Sequence, residues 1–279
     1  MKRLLLVSLM LTLAGAAAPK ADDTLYAQAR SYYTQAWQMS PIVATNIGVH
    51  DYDTQLGSYS AAAYAARIAS AENALKSLHS LTRSALSKEA AYDDEIYESS
   101  LKATLLSLQT EQNWRHNPSL YTQLASNALF TLIKRDFAPL EVRMKDAIAR
   151  EQAIPQLLKD GAANITTVDA TTAQIEDADI KGSVVFFSTV VPQAFSSAEN
   201  SDLQGQLKTS NDAVIAAIKD FQTAMENGPF AHPSGTFAIG AKDFAARLAL
   251  QELTPISLAD YERAGVAALA QTKAQFIAT

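Results

Sequence analysis

Apolar residues recur at steps of three to five through most of this 279-residue chain, the spacing that one face of a helix requires. The clearest stretch runs from Ser87 to about Asn113, with Tyr92, Ile96, Leu101, Leu105 and Leu108 as its stripe. Asp93, Asp94, Glu95, Glu98 and Lys102 fall mostly off that stripe and read as a solvated face rather than a metal site. Ser87 supplies an N-cap, and Glu89 with the acidic cluster sits near the positive helix end. Further helices are predicted over residues 25–39, ending at Ser40-Pro41, and from the cap Ser60 to about Leu78. Others run from Pro118 through Leu132, and from Pro139 through Ile148, where proline is preorganised for a first turn. Pro155 is expected to open a short successor through Leu158, and helices over 203–225 and 241–250 follow.

Two segments need separate argument. Residues 183–191 (SVVFFSTVV) have the composition of a buried strand. No second run of this kind offers a pairing partner, and a lone strand leaves its backbone unsatisfied. The segment is therefore predicted as a buried helix ending near Pro192. Ser257 with Asp260 forms a capping box for a last helix, Asp standing in for the usual Glu. That helix runs to Thr279 with no Gly, Asn or Pro stop, which predicts a truncated chain with Val266, Leu269, Phe276 and Ile277 uncovered. The fold class is all-α, an irregular multi-helix array, with residues 18–279 as one helical domain or the N-terminal part of one.

The first residues change the picture of where the protein works. Met1-Lys2-Arg3 is a basic head, an apolar run from Leu4 to Leu13 follows, and small residues close it from Ala14 to Ala18. This is the secretory signal pattern, with cleavage expected near Ala17. A ten-residue helical core reaches only about 15 Å, half a bilayer, so no permanent membrane anchor is expected. The chain has no cysteine, which excludes disulfides, thiol chemistry and acylation at a lipobox. A free periplasmic or secreted protein follows. The chain carries 23 basic and 29 acidic residues; loss of Lys2 and Arg3 leaves 21 against 29, a net charge of −8. Nucleic acid is not an expected partner.

Candidate chemistry is sparse. His50, His79, His116 and His232 include no two residues three or four apart, so no helix turn presents a His pair and no H-E-x-x-H exists. No catalytic residue and no metal ligand is assigned. Ser99-Ser100-Leu101-Lys102 matches S-x-x-K, but its companion motifs are missing and Ser99 falls mid-helix. The run from Gly235 to Lys242 brushes against a phosphate loop, yet Asp243 stands where Ser or Thr should be, so it reads as a turn feeding a helix. Asn164-Ile165-Thr166 is formally a glycosylation acceptor. The remaining candidate is the loop after Gly48, which gathers His50, Asp51, Tyr52 and Asp53 in non-helical backbone. Such a loop can line a binding cleft, or it can be a turn held by its own aspartates.

The same loop carries a family resemblance. Ser40-Pro41, Ala44-Thr45, Gly48, His50, Tyr52-Asp53, Leu56 and Ser60 resemble the opening signature of the bacterial domain of unknown function 885. Trp114-x-x-Asn117-Pro118-x-x-Tyr121 and Arg150-x-x-x-Ile154-Pro155-x-x-Leu158 follow in order. Gly235-x-Phe237-x-x-Gly240-x-x-x-Phe244-x-x-x-Leu248 completes the set. The resemblance implies an exported or lipid-anchored helical protein about twice this length, whose C-terminal half bears an H-E-x-x-H helix of the zincin metallopeptidase kind; the missing lipobox cysteine departs from the lipid-anchored form. This chain would then be the incomplete N-terminal half of a larger zincin-like fold. It would form one wall of a peptide-binding cleft, with His50, Asp51, Tyr52 and Asp53 as lining candidates. It would not be catalytic by itself, and zinc is expected only with the C-terminal half, which is the partner implied alongside a peptide substrate. The alternative is a non-catalytic exported helical binding module.

Overall fold

The computed structural model describes residues 20–253 and 256–278; the expected leader and its cleavage point near Ala17 lie outside them. Every regular element among the described residues is helical. Helix α1 spans Ala21–Met39, α2 Pro41–Asn46, α3 Ala61–His79 and α4 Lys88–Leu105. Local chemistry sets the breaks. Pro41 has no N–H with which to prolong α1, so it stands instead at the first turn of α2. The hydroxyls of Ser60 and Ser87 accept the Ala63 and Ala90 N–H groups at 3.2 Å, capping α3 and α4. Gly57 has a φ of 85°, and a Cβ there would sit 2.9 Å from the Met39 carbonyl oxygen, so only glycine lets this loop fold back on the end of α1.

Helices α1, α3 and α4 pack around a small core of Leu25, Ala71, Leu78, Ala90, Tyr97 and Leu101. The buried face of α4 is not the expected stripe. Tyr92 and Ile96 are more than half exposed, while Ala90, Asp94, Tyr97 and Leu101 face inward. Two causes turn the helix this way. Ala90 permits close approach, and Tyr97 joins Tyr32 and Tyr33 in an aromatic cluster with centroids about 6 Å apart. Asp94 tolerates burial because Arg83 Nε lies 3.0 Å from its Oδ2.

Beyond Leu105 the helix widens into a π turn, Leu106–Glu111, which ends at Gln112 in the left-handed region. Helices α5 (Asn113–His116), α6 (Ser119–Lys134), α7 (Leu140–Asn164) and α8 (Ala170–Val185) follow. A second π turn, Phe186–Val190, leads into α9 (Val191–Ala194), and α10 (Ser201–Glu226), α11 (Gly240–Glu252) and α12 (Leu258–Ala278) complete the set. The SVVFFSTVV segment is thus helical, as expected, but not buried along its length: Ser183, Phe187 and Val191 face inward, while Val185, Ser188 and Thr189 are exposed. Helices α6, α7, α8 and α10 enclose the main core, which includes Tyr121, Leu129, Met144, Ile154, Phe195, Val214 and Phe221.

Pro155 does not open a new helix; it lies inside the 25-residue α7. The bond it forfeits is outweighed by a continuous buried face from Met144 through Ile154 to Leu158, packed against α6 and α10. Helix α12 is the opposite case. Ser257 and Asp260 make the expected cap, with the Asp260 N–H 3.1 Å from the Ser257 hydroxyl. Yet α12 is exposed along its length, with Val266, Leu269, Phe276 and Ile277 between 64% and 82% accessible.

Candidate functional site

The loop after α2 is held from within. Gly48 has a φ of 89°, and the Val49 N–H returns to the Ala44 carbonyl at 2.9 Å. Asp53 is buried; its Oδ1 accepts the Thr45 hydroxyl at 2.5 Å and its Oδ2 lies 2.8 Å from His50 Nδ1. The His50 ring stacks on Phe137 with centroids 3.9 Å apart. Beneath them Arg150 of α7, with no exposed surface, donates to the carbonyls of Gln55 at 3.0 Å and Ala128 at 2.7 Å and to the Thr45 hydroxyl at 2.6 Å. Its guanidinium is 3.9 Å from Asp53. Burial draws the Arg150 pKa down, and the charges of Asp53 and Asp146 oppose that. Asp146, one turn earlier on α7, is raised by burial and then by Asp53, with Arg150 and His50 opposing.

Of the four residues singled out in the sequence, the structure joins His50 and Asp53 directly. Tyr52 contributes its carbonyl, 3.5 Å from Arg150, and Asp51 is exposed. Asp53 is committed to Thr45, His50 and Arg150, so the exposed His50 and Asp51, with the half-buried Tyr52, are the members with surface left for a ligand.

A second place gathers more groups around an open space. A cleft of about 450 Å³ lies between the end of the first π turn, the start of α8 and the chain leading into α11. Glu111, Asn113, His116 and Asn117 form one side, and Thr167, Asp169, Thr172 and Ile175 a second. Residues 234–239 with Asp243 form the third. The walls are tied to each other. His116 Nδ1 lies 2.8 Å from the Thr167 hydroxyl, and the Ser234 N–H donates to the Val168 carbonyl at 2.8 Å. Arg247 Nε meets Glu111 at 2.7 Å, and the Ser99 hydroxyl donates to the Leu250 carbonyl at 2.7 Å, both fastening α11. Gly235 and Gly240 have φ values of 90° and 85°, positions that favour glycine and turn the chain around the cleft. Asp169 caps α8; the Thr172 hydroxyl, with the N–H groups of Thr172 and Thr171, holds its carboxyl below the usual range against burial. Phe237 stands at the rim, 72% exposed.

From Arg150 to Asn164, fourteen residues along α7, the helical rise amounts to about 21 Å, so the loop meets the middle of that helix and the cleft lies past its C-terminal end. Sequence reasoning set His116 aside as a metal ligand and Asp243 as a break in a phosphate loop, and it passed over Asn113 and Asp169. The available signal was that two motif stretches, one with Asn117 and one with Gly235 and Phe237, meet at this cleft. Other singled-out residues are structural. Ser99 is tied to α11, and Lys102 pairs with Glu98 at 2.7 Å. Asn164, the formal glycosylation acceptor, is buried and donates to the Tyr59 carbonyl and the Tyr121 hydroxyl.

Among the described residues no three His, Cys, Asp or Glu side chains converge to hold a metal ion, and no helix is long and apolar enough to cross a membrane. The zinc implied by the resemblance therefore finds no ligand set in these residues. A family model described as bacterial protein of unknown function (DUF885) matches residues 41–279. No curated protein matches in sequence. A solved structure from Shewanella oneidensis, titled a "putative lipoprotein of unknown function", superposes with a TM-score of 0.72 at 20% identity. The match covers 84% of this chain and 42% of that one, and it shows the shared helical fold.

Proposed function

The chain belongs to the DUF885 family of bacterial proteins, and from that premise we propose that it is the N-terminal helical part of an exported zinc-metallopeptidase-like protein. In this reading it forms one wall of a peptide-binding cleft and is not catalytic by itself. The observation that carries the proposal is the cleft beside α5, α8 and α11, built from three separated stretches and lined by hydroxyl, amide and carboxylate groups. Such groups exchange readily for the N–H and C=O of an extended peptide, while the exposed Ile175 and Phe237 offer contacts to its side chains. The solved relative is longer, since this chain spans 42% of it; the zinc and its ligands belong to the part outside these residues. The leader pattern and the absence of cysteine support a free periplasmic or secreted form. His50, Asp51, Tyr52 and Asp53 enter as a second stretch of the same wall, with His50, Asp51 and Tyr52 available to a ligand.

The test is an NMR titration of the isotope-labelled chain with tetra-alanine amide. Shifts confined to the amides around Asn113, Thr167, Gly235 and Asp243, without peptide hydrolysis, are the expected result. Movement at His50 and Asp51 with longer peptides would extend the wall to that loop. Unmoved cleft amides at millimolar peptide would refute the binding role, and hydrolysis by this chain alone would refute the division of labour.

A further inference from the structure

The cleft has a sign as well as a shape. Its lining contains no Lys or Arg, and of its three carboxylates one is already answered. The Glu111 side chain is 6% exposed and paired with Arg247, which leaves Asp169 and Asp243. Asp169 is held ionised by the hydrogen bonds that make it the cap of α8, so it keeps its charge whether or not a ligand is present. Asp243 is half-buried, and its side chain makes no hydrogen bond or ion pair among the described residues. At the rim, Phe237 presents an exposed aromatic ring, whose face attracts cations and repels anions. Two unneutralised carboxylates and an aromatic face around one cavity oppose phosphate, sulfate and acidic side chains.

We infer that the cleft takes a positively charged amine, namely the free amino terminus of a peptide. The inference rests on the peptide-binding reading and sharpens it: the cleft would recognise a chain end rather than the middle of a chain. A terminal ammonium has three donors; the Asp243 carboxylate and the remaining lone pair of Asp169 Oδ2, whose other acceptor positions are taken by Thr171 and Thr172, face the same cleft as acceptors.

The test compares tetra-alanine amide with its N-acetylated form, which has the same backbone and no charge, and adds 1,5-diaminopentane as an amine without peptide groups. Binding is read from the cleft amides by NMR. The free amine should bind about tenfold more tightly than the acetylated peptide. The double variant Asp169→Asn, Asp243→Asn should remove that difference, and Asn caps a helix nearly as well as Asp, so α8 is kept. Equal binding of the two peptides by the natural chain would overturn the amine inference and leave the peptide reading standing. Diaminopentane shifting the cleft while neither peptide does would overturn both the amino-terminus inference and the peptide reading. Silence from all three probes would end both.

Discussion

A guanidinium offers five N–H donors in one plane, and Arg150 distributes its own over the carbonyls of Gln55 and Ala128 and the hydroxyl of Thr45. One residue of α7 thereby fixes the loop after α2 and the middle of α6, with Asp53 as counter-charge. An ammonium cannot reproduce that fork, so Arg150→Lys should lower the stability by about 3 kcal/mol, read from urea unfolding. A loss under about 0.5 kcal/mol would mean that the network adds no net stability. The motif letters Thr45, Asp53 and Arg150 stand in the sequence in plain view, yet nothing there says that they form one network. Their partners are largely backbone carbonyls, which have no letter of their own. The same gap hid Asn164: a glycosylation pattern describes three side chains, and the structure spends the first on Tyr59 and Tyr121. Gly161 is a similar case. A Cβ there would lie 2.5 Å from the Tyr121 ring, so the need for glycine arises from a neighbour forty residues away in sequence.

Between elements, the most extensive contact joins α7 and α10, and it encloses a carboxyl group. Glu151 has no exposed surface; the Ser210 hydroxyl donates to one oxygen and the other has no hydrogen-bond partner. Burial pushes its pKa up to about 8. The unfolded chain releases this proton near the ordinary value of 4.5, so between about 4.5 and 8 the folded state holds a proton that the unfolded state lacks. Stability therefore falls as pH rises through that window, by a total of a few kcal/mol. Glu151→Gln, of the same shape and never charged, should flatten the fall and make the variant the more stable protein at pH 8.5. Urea midpoints at pH 5.5, 7 and 8.5 check this; parallel curves for the two proteins would refute it. Most helices themselves were legible, because caps and apolar spacing are local. Helix α8 was not: its residues from 170 to 180 contain only Ile175 and Ile180 as large apolar groups, and Ile175 is exposed. Its start is written in Asp169, which caps without a stripe to announce it. Pro155 and the rotated face of α4 mark the other limit, where packing across the core overrules a local rule.

At the scale of the whole molecule, two cores of unequal size share α3. Tyr64 near its start belongs to the large one, while Ala71 and Leu78 belong to the small one with α1 and α4. Helix α11 lies mainly against α4 and the π turn that prolongs it, and Ser99 of α4 holds its last turn. The cleft thus has two walls on the strong part of the protein and one that depends on the weaker part. The cleft was illegible in the sequence for this reason: its groups come from stretches fifty or more residues apart, brought together by the packing of α11. Proteins open in cooperative units whose free energies range from near zero up to that of global unfolding, and the unit with fewer buried apolar contacts opens more often. Amides of α4 between Ala90 and Leu101 should therefore exchange with deuterium faster than those of α7 between Ala147 and Leu158. Each such opening also frees α11 and with it the third wall. Anything that binds only the closed cleft must then suppress these openings by mass action. A saturating cleft ligand should slow deuterium uptake in α1 and α4, although these helices line no part of the cleft. Unchanged uptake in α1 and α4 at saturation would mean that α11 keeps its place while they open.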